Sequence, residues 1–230
     1  MANYIDLMTS NIDFNKLIDN HLAREYKAKT VGRYYPSEIA GCMRKTYFSY
    51  KNPKPTDTKL NRIFEAGNML HEFITEVLRS EKNKEVELLK SEMPIEIKTN
   101  DFVISGRIDN LVLVKICEKN TCRQVLVEVK STKFLPKDYK KENEMQLQLY
   151  MKALGVYEGI LLYIQKDNLE TRSFDIKYNK KLADKILERF EVLHKSLVNN
   201  EIPEPEAKLD DDKKWMCSYC TWSEECEESQ

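Results

Sequence analysis

The chain has 230 residues, 41% hydrophobic and 33% charged, with 37 basic and 38 acidic side chains and a formal net charge of −1. That content supports one large domain or one domain with a small appendage, and it excludes a protein drawn to nucleic acid by overall charge alone. No stretch is apolar enough to span a membrane, and the opening "MANYIDLMTSNIDFNKLIDNHL" lacks the charged start and apolar centre of a secretion signal, so a cytoplasmic protein is expected.

In chain order, residues 1–58 read as a helical N-terminal segment. Residues 1–30 have helical character, and Pro36 and Ser37 supply helix-start signals in "YYPSEIAGCMRKTYFSY". "KNPKPTDT" is a loop. Residues 59–199 read as the core and open with an amphipathic helix, "LNRIFEAGNMLHEFITEVLRSE". Leu60, Ile63, Phe64, Gly67, Leu70, Ile74 and Leu78 share its predicted apolar face, with His71 on the edge. Strands are predicted at 93–99, 102–114 and 124–132, joined by the hairpin turns "TND" and "CEKNTC". A helix ending at Gly155 follows, then strands at 159–165 and 170–176 and a long helix over 179–200. Residues 200–230 read as a polar, proline-bearing linker and a cysteine tail. The whole predicts a mixed α/β fold without internal repeats.

Charge is unevenly spread. "REYKAKTVGRYY" (24–35), "RKTYFSYKNPKPTDTKLNR" (44–62) and "KFLPKDYKK" (133–141) interleave cations with aromatics, while "EECEESQ" is acidic. Such stretches suit a nucleic-acid groove, and equally the solvated surface of a Lys/Glu-rich protein.

The segment "LVEVKST" carries the chemistry. Alternation sends Val125, Val127 and Val129 towards a core and Leu126, Glu128 and Lys130 the other way. Glu-x-Lys by itself is weak, since it also occurs at Glu25/Lys27, Glu96/Lys98 and Glu206/Lys208. Only Glu128/Lys130 combines a strongly β-prone run with an acid on the preceding strand, Asp109; the ordinary alternative is a surface ion pair. Asp109 and Glu128 could converge on a divalent cation such as Mg²⁺, with Lys130 orienting or deprotonating a water and offsetting charge on a phosphorane. His71 could add a nitrogen ligand, which would tilt the site towards Mn²⁺, although such a histidine is commonly a satisfied core residue. Gly67, one turn before His71, would leave space beside the ring. Gln146 and Tyr150, four residues apart on one helix face, could hold Lys130 or a DNA phosphate, or be an ordinary Gln and a core Tyr.

Six cysteines in a chain of this kind favour metal or redox chemistry over disulfides. Cys217, Cys220 and Cys226 form C-x2-C-x5-C, three soft ligands that want a fourth, for which Cys42, Cys117 and Cys122 compete. Four thiolates suit zinc and iron–sulfur alike, and free thiols are the ordinary state of the two near the hairpin.

"GNMLH", "GRID", "VEVK" and "QLQLY" occur in the order found in RecB-type nucleases of the PD-(D/E)xK superfamily, whose fold is restriction-endonuclease-like, a mixed sheet flanked by helices. With "AGCMRKTYF" before them and "CSYCTWSEEC" after, the chain resembles the iron–sulfur branch, the stand-alone CRISPR-associated exonucleases, over residues 36–226. The resemblance implies that His71, Asp109 and Glu128 bind Mg²⁺ or Mn²⁺ with the Val129 backbone carbonyl, that Lys130 is catalytic, and that Gln146 and Tyr150 assist. It also implies that Cys42 completes a 4Fe-4S site joining the two chain ends, with 2Fe-2S or zinc as alternatives. The implied activity is hydrolysis of single-stranded DNA from an end, commonly 5′ to 3′, in trimming spacer precursors beside the CRISPR integrase. A homo-oligomer is compatible with the sequence. The motif Asp lacks a preceding Pro in "SGRID", and residues 1–35 carry no family motif. Two other readings stand beside this one: a viral or DNA-repair RecB-like nuclease without a CRISPR role, and a non-catalytic, metal-stabilised DNA-binding subunit. The intact Asp109, Glu128 and Lys130 favour catalysis.

Overall fold

A computed structural model describes residues 12–23, 27–116 and 121–229. The predicted hairpin connection, Cys117 included, falls largely outside them, as does the start of the predicted N-terminal helix; helix α1 covers Phe14–Leu22. Strand β1 (Arg33–Tyr34) and a 3-10 turn (Pro36–Glu38) lead into α2 (Met43–Lys51) and then α3 (Thr58–Arg79). A meander of β2 (Val86–Lys98), β3 (Val103–Ile116) and β4 (Thr121–Thr132) is followed by α4 (Lys141–Leu154), β5 (Glu158–Gln165), β6 (Thr171–Lys177) and α5 (Lys180–Asn199).

The strands make one six-stranded mixed sheet, in the order β1-β3-β4-β5-β6 with β2 on the other edge of β3. The β2–β3–β4 and β5–β6 pairs are antiparallel, as adjacent hairpin strands must be. β4 and β5 are parallel, because helix α4 carries the chain back across the sheet between them. β2 starts earlier than the sequence predicts. Its first half, "VELLKSE", is mostly polar and half-exposed, so it carries little of the strand signature.

β4 is covered on both faces. Val125, Val127 and Val129 pack with Ile74 of α3, as their alternation predicts. The opposite face is not open to solvent: Leu126 lies in a second cluster with Leu147 and Met151 of α4. Glu128, on that side, is only 2% exposed. Alternation assigns faces but does not say how many layers cover them.

Helix α3 departs from expectation in its first half. Ile74 is buried and Leu70 and Leu78 pack against the sheet, yet Leu60, Ile63 and Phe64 are exposed. This end overhangs the sheet and supports α1, where Arg62 binds Asp19 (Nε–Oδ1 2.7 Å) and Asn15. Periodicity identifies the shared face, not the extent of the surface it meets.

The segment expected to be a linker is structured. It contains α6 (Glu206–Leu209), whose Ala207 is buried. Glu206 accepts from both terminal nitrogens of Arg189 on α5 and from the backbone N–H of Met43 at the start of α2. Charge complementarity, which no hydropathy pattern reports, pins this polar stretch. Beyond it lie a 3-10 turn (Lys214–Tyr219) and α7 (Ser223–Glu228), attached to the N-terminal region by Lys54–Glu225 (2.6 Å) and by Trp222 Nε1 donating to the Asn52 carbonyl (2.7 Å).

Between its short contact with β1 and its pairing with β4, that edge of β3 has no ladder partner, and Gly106 lies in this stretch. A Cβ on Gly106 would lie 2.8 Å from the Tyr150 ring and 3.2 Å from Pro36. Gly106→Ala is expected to lower stability by about 1–3 kcal/mol in urea unfolding. Gly41→Ala, where a Cβ would meet nothing within 4 Å, should be close to neutral.

Candidate active site

β4 belongs to two ladders. It pairs with β3 up to Val127, opposite Asn110, and with β5 from Leu126 onward. Past Val127 its β3-facing edge has no ladder partner, and the Asp109 carboxylate takes that place. The Val129 N–H donates to Asp109 Oδ2 at 2.8 Å. On its other side Asp109 faces a distortion of β2: Glu92, between the paired residues Ser91 and Met93, has φ +49°. His71 Nδ1, from α3, lies 3.4 Å from the same Asp109 oxygen.

Glu128 Oε1 accepts from Lys130 Nζ at 2.8 Å, while its Oε2 is buried without a partner. Lys130 Nζ also donates to Gln146 Oε1 (3.0 Å), and Gln146 Nε2 donates to the Tyr150 hydroxyl (3.0 Å). The i,i+4 spacing of Gln146 and Tyr150 on α4 thus becomes a relay beneath the lysine. Burial pushes the Glu128 carboxyl up to about 7; the Lys130 charge opposes this and the Asp109 charge adds to it. Burial also works against the Lys130 ammonium, but the charge and hydrogen bond of Glu128 outweigh it and hold the lysine protonated. Burial, then the Glu128 charge, raise the Tyr150 phenol.

The structure therefore brings together His71, Asp109, Glu128, Val129, Lys130, Gln146 and Tyr150. Val129 contacts Asp109 through its N–H. The neighbour of Gly67 is not the His71 ring: a Cβ there would lie 3.3 Å from Ser131 Oγ of β4, so the glycine admits close helix–strand approach. Of the other Glu-x-Lys pairs, Glu96/Lys98 is an exposed surface contact at 4.0 Å, and Glu206 serves Arg189. Glu25 lies outside the described residues.

Two polar residues escaped the sequence reading. Asn110 is fully buried beside Asp109, its Oδ1 3.0 Å from Thr75 Oγ1, which also lies 3.0 Å from the His71 carbonyl. One hydroxyl proton cannot serve both acceptors. Turning the Asn110 amide resolves this, because Nδ2, otherwise unpartnered, donates to Thr75 while Thr75 donates to His71. The signal was present: Thr75 is one turn beyond His71, and Asn110 is a lone amide in an apolar run.

The second constellation lies at the chain ends. Cys42, buried at the N-cap of α2, and the half-buried Cys217, Cys220 and Cys226 are free thiols lining one cavity of about 80 Å³ with Phe48, Met216 and Trp222. Burial raises the Cys217 thiol, and the charges of Cys42, Cys220 and Cys226 raise it further, so all four are electrostatic neighbours. Cys122 is exposed and does not line this cavity. Among the described residues no three His, Cys, Asp or Glu side chains converge as a ready site for one metal ion. Some cations of the first two basic stretches pair with acids, as in Lys29–Glu38, Arg33–Glu96 and Lys54–Glu225. Among the described residues no helix is long and apolar enough to cross a membrane.

The Glu128 value yields a pH prediction. It lies above the ordinary carboxyl value of 4.5, so protonation favours the folded state. This contribution is complete below about pH 4.5 and is lost as pH rises through about 7. In chelator, the urea unfolding free energy of the wild type should fall between pH 5 and 8 on the order of 2–3 kcal/mol more than that of Glu128→Gln.

Residues 66–227 match the PD-(D/E)XK nuclease superfamily model. The chain is similar to the CRISPR-associated exonuclease Cas4 of Saccharolobus solfataricus, 22% identical over 95% of this chain and 98% of that protein. In fold it is similar to the crystal structure of SSO0001 (TM-score 0.58, 19% identity, 91% of each chain). It is also similar to the alkaline exonuclease LHK-Exo of Laribacter hongkongensis, solved with dAMP (TM-score 0.51, 14% identity, 74% of this chain and 90% of that one). The family match spans strands β2 to β6, most of α3, all of α4 and the cysteine tail: the chain belongs to the PD-(D/E)XK nuclease superfamily.

Proposed function

We propose that the protein is a divalent-metal-dependent DNA exonuclease that hydrolyses phosphodiester bonds of single-stranded DNA, working 5′ to 3′, and that it trims spacer precursors beside a CRISPR integrase. The observation that carries the nuclease reading is the buried Asp109–Glu128–Lys130 group at the point where β4 leaves β3. Its likeness to Cas4 over nearly the whole chain supports the exonuclease and CRISPR parts. Residues 59–199 form the nuclease core in this reading, with 1–58 and 200–230 as arms that meet at the cysteines.

The donor set fits a hard dication. Glu128 presents a buried carboxylate oxygen with no partner, and Asp109 and His71, 3.4 Å apart, are near enough for their charges to act on it. Asp109, Glu128, His71 and the Val129 carbonyl would hold Mg²⁺ or Mn²⁺, the imidazole favouring Mn²⁺. When bound, the ion activates a water and neutralises charge on the scissile phosphate. Lys130 orients that water and offsets charge developing on the phosphoryl oxygens. Gln146 holds Lys130 in place, and Tyr150 holds Gln146.

The cysteines fit a soft-metal centre. A single zinc ion wants thiolates about 2.3 Å away on all sides. Four thiols lining one cavity suit zinc and iron–sulfur alike, and the resemblance to the iron–sulfur branch favours 4Fe-4S, with 2Fe-2S or zinc behind it. Cys42 comes from the far end of the chain, so loading couples to folding of the whole domain.

Glu128→Ala and Lys130→Ala are expected to abolish cleavage of end-labelled single-stranded DNA while circular dichroism and metal content at the cysteines stay unchanged. Wild-type rates in both would sink the assignment. Cleavage should require Mg²⁺ or Mn²⁺, with Ca²⁺ supporting binding but little turnover, and full activity in chelator would refute the metal mechanism.

Cys42→Ser should lose colour and iron and melt at a lower temperature, whereas Cys122→Ser should keep both. Iron per chain, visible absorption and thermal melting under anaerobic conditions check this. Normal metal content in Cys42→Ser would exclude it as the fourth ligand.

A further inference from the structure

Arg44 stands two positions after Cys42, in the first turn of α2, and is 8% exposed. Its hydrogen bonds go to neutral groups. Nε donates to the Pro203 carbonyl (2.5 Å) and Nη1 to the Cys226 carbonyl (3.4 Å), and Nη1 also lies 3.9 Å from Cys226 Sγ. Among the described residues no carboxylate is within ion-pair distance of it. Arg189, close by in the same clasp, contrasts with it by meeting both oxygens of Glu206.

A guanidinium keeps its proton in a protein, so burying one without a counter-charge is costly. Carbonyl oxygens compensate only part of that cost. The cysteine cavity is itself lined by two cations, Lys45 and Lys208, and one acid, Glu227, and Arg44 stands behind its Cys226 wall. Cation excess around four thiols anticipates an anionic occupant. Four thiolates carry more negative charge than a zinc ion or an oxidised iron–sulfur core cancels, so a loaded centre would be anionic as a whole.

We propose that Arg44 is the buried counter-ion of the loaded cysteine centre. It donates an N–H to the Cys226 sulfur and thereby sets how tightly the metal is held and, for an iron–sulfur cluster, its reduction potential. This rests on the cysteine reading above. It differs from a purely structural role, in which Arg44 staples the Pro203 carbonyl to α2 and is indifferent to metal.

The test uses full-length wild type, Arg44→Met and Arg44→Lys, purified anaerobically, stripped with chelator, and reloaded with iron and sulfide or with zinc. The readouts are melting temperature before and after loading, the rate of metal release to a chelator, and the midpoint potential of the iron–sulfur form. Loading should raise the wild-type melting temperature. In Arg44→Met that gain should shrink, metal should leave about tenfold faster or more, and the potential should fall. Arg44→Lys, which keeps the charge but not the fork, should lie between.

A structural staple would lower the stripped and loaded melting temperatures together. Unchanged gain, release rate and potential in Arg44→Met would therefore overturn the proposal. Should Arg44→Met fail to fold, Arg44→Lys decides: faster release from a folded protein supports the proposal, and wild-type release overturns it. A wild type that gains nothing from either metal overturns the cysteine reading and the proposal with it. A normal wild-type gain with indifferent variants overturns the proposal alone.

Discussion

The Asp109 carboxylate accepts the Val129 N–H at the place where β4 exchanges β3 for β5. Without an acceptor there, a buried backbone donor at the centre of the sheet would go unsatisfied. The same carboxylate lies where the β3–β4 ladder ends and faces His71 of α3. Sheet topology and site geometry are thus one constraint: the fold needs an acceptor at residue 109, and the proposed metal chemistry would need that acceptor to be charged.

Around it the molecule concentrates groups that do little for stability. A buried ion pair such as Glu128–Lys130 recovers by attraction only part of what its desolvation costs. Here one Glu128 oxygen lacks any partner, and Glu92 holds a left-handed backbone conformation next door. Such features persist where surrounding packing over-determines them, in this case the apolar clusters on both sides of β4. Gln146 and Tyr150 extend the order outward, fixing a lysine whose long side chain would otherwise sample many rotamers.

Much of this was legible from residue order. The hairpin strands, α4 with its glycine end and α5 follow from period and turn chemistry, and Glu128/Lys130 stood out from three similar pairs through its valine alternation and the acid before it. Other parts follow from charge and shape at long range, which local patterns do not encode. Nothing near Glu206 announces Arg189 or the Met43 amide as its partners. The exposed end of α3 obeys the same period as its buried end, and the Thr75–Asn110 contact joins residues from separate elements. Cys42 as the fourth thiol is implied by resemblance rather than by spacing, and no local pattern announces that it lines one cavity with the tail cysteines.

The closeness of Cys42 to the last cysteines also has a meaning in time. From Cys42 to Cys217 the chain is 217 − 42 = 175 residues long. At about 5–20 residues per second, a ribosome needs roughly 10–35 s to cover that span. Helix α2 packs on α5, made well over a hundred residues later, so its aromatic face must wait for that helix to emerge. The clasp between Cys42 and the cysteine tail therefore closes only after Cys226 has been made, and a product ending before α5 would leave both the cradle open and the aromatic face of α2 bare.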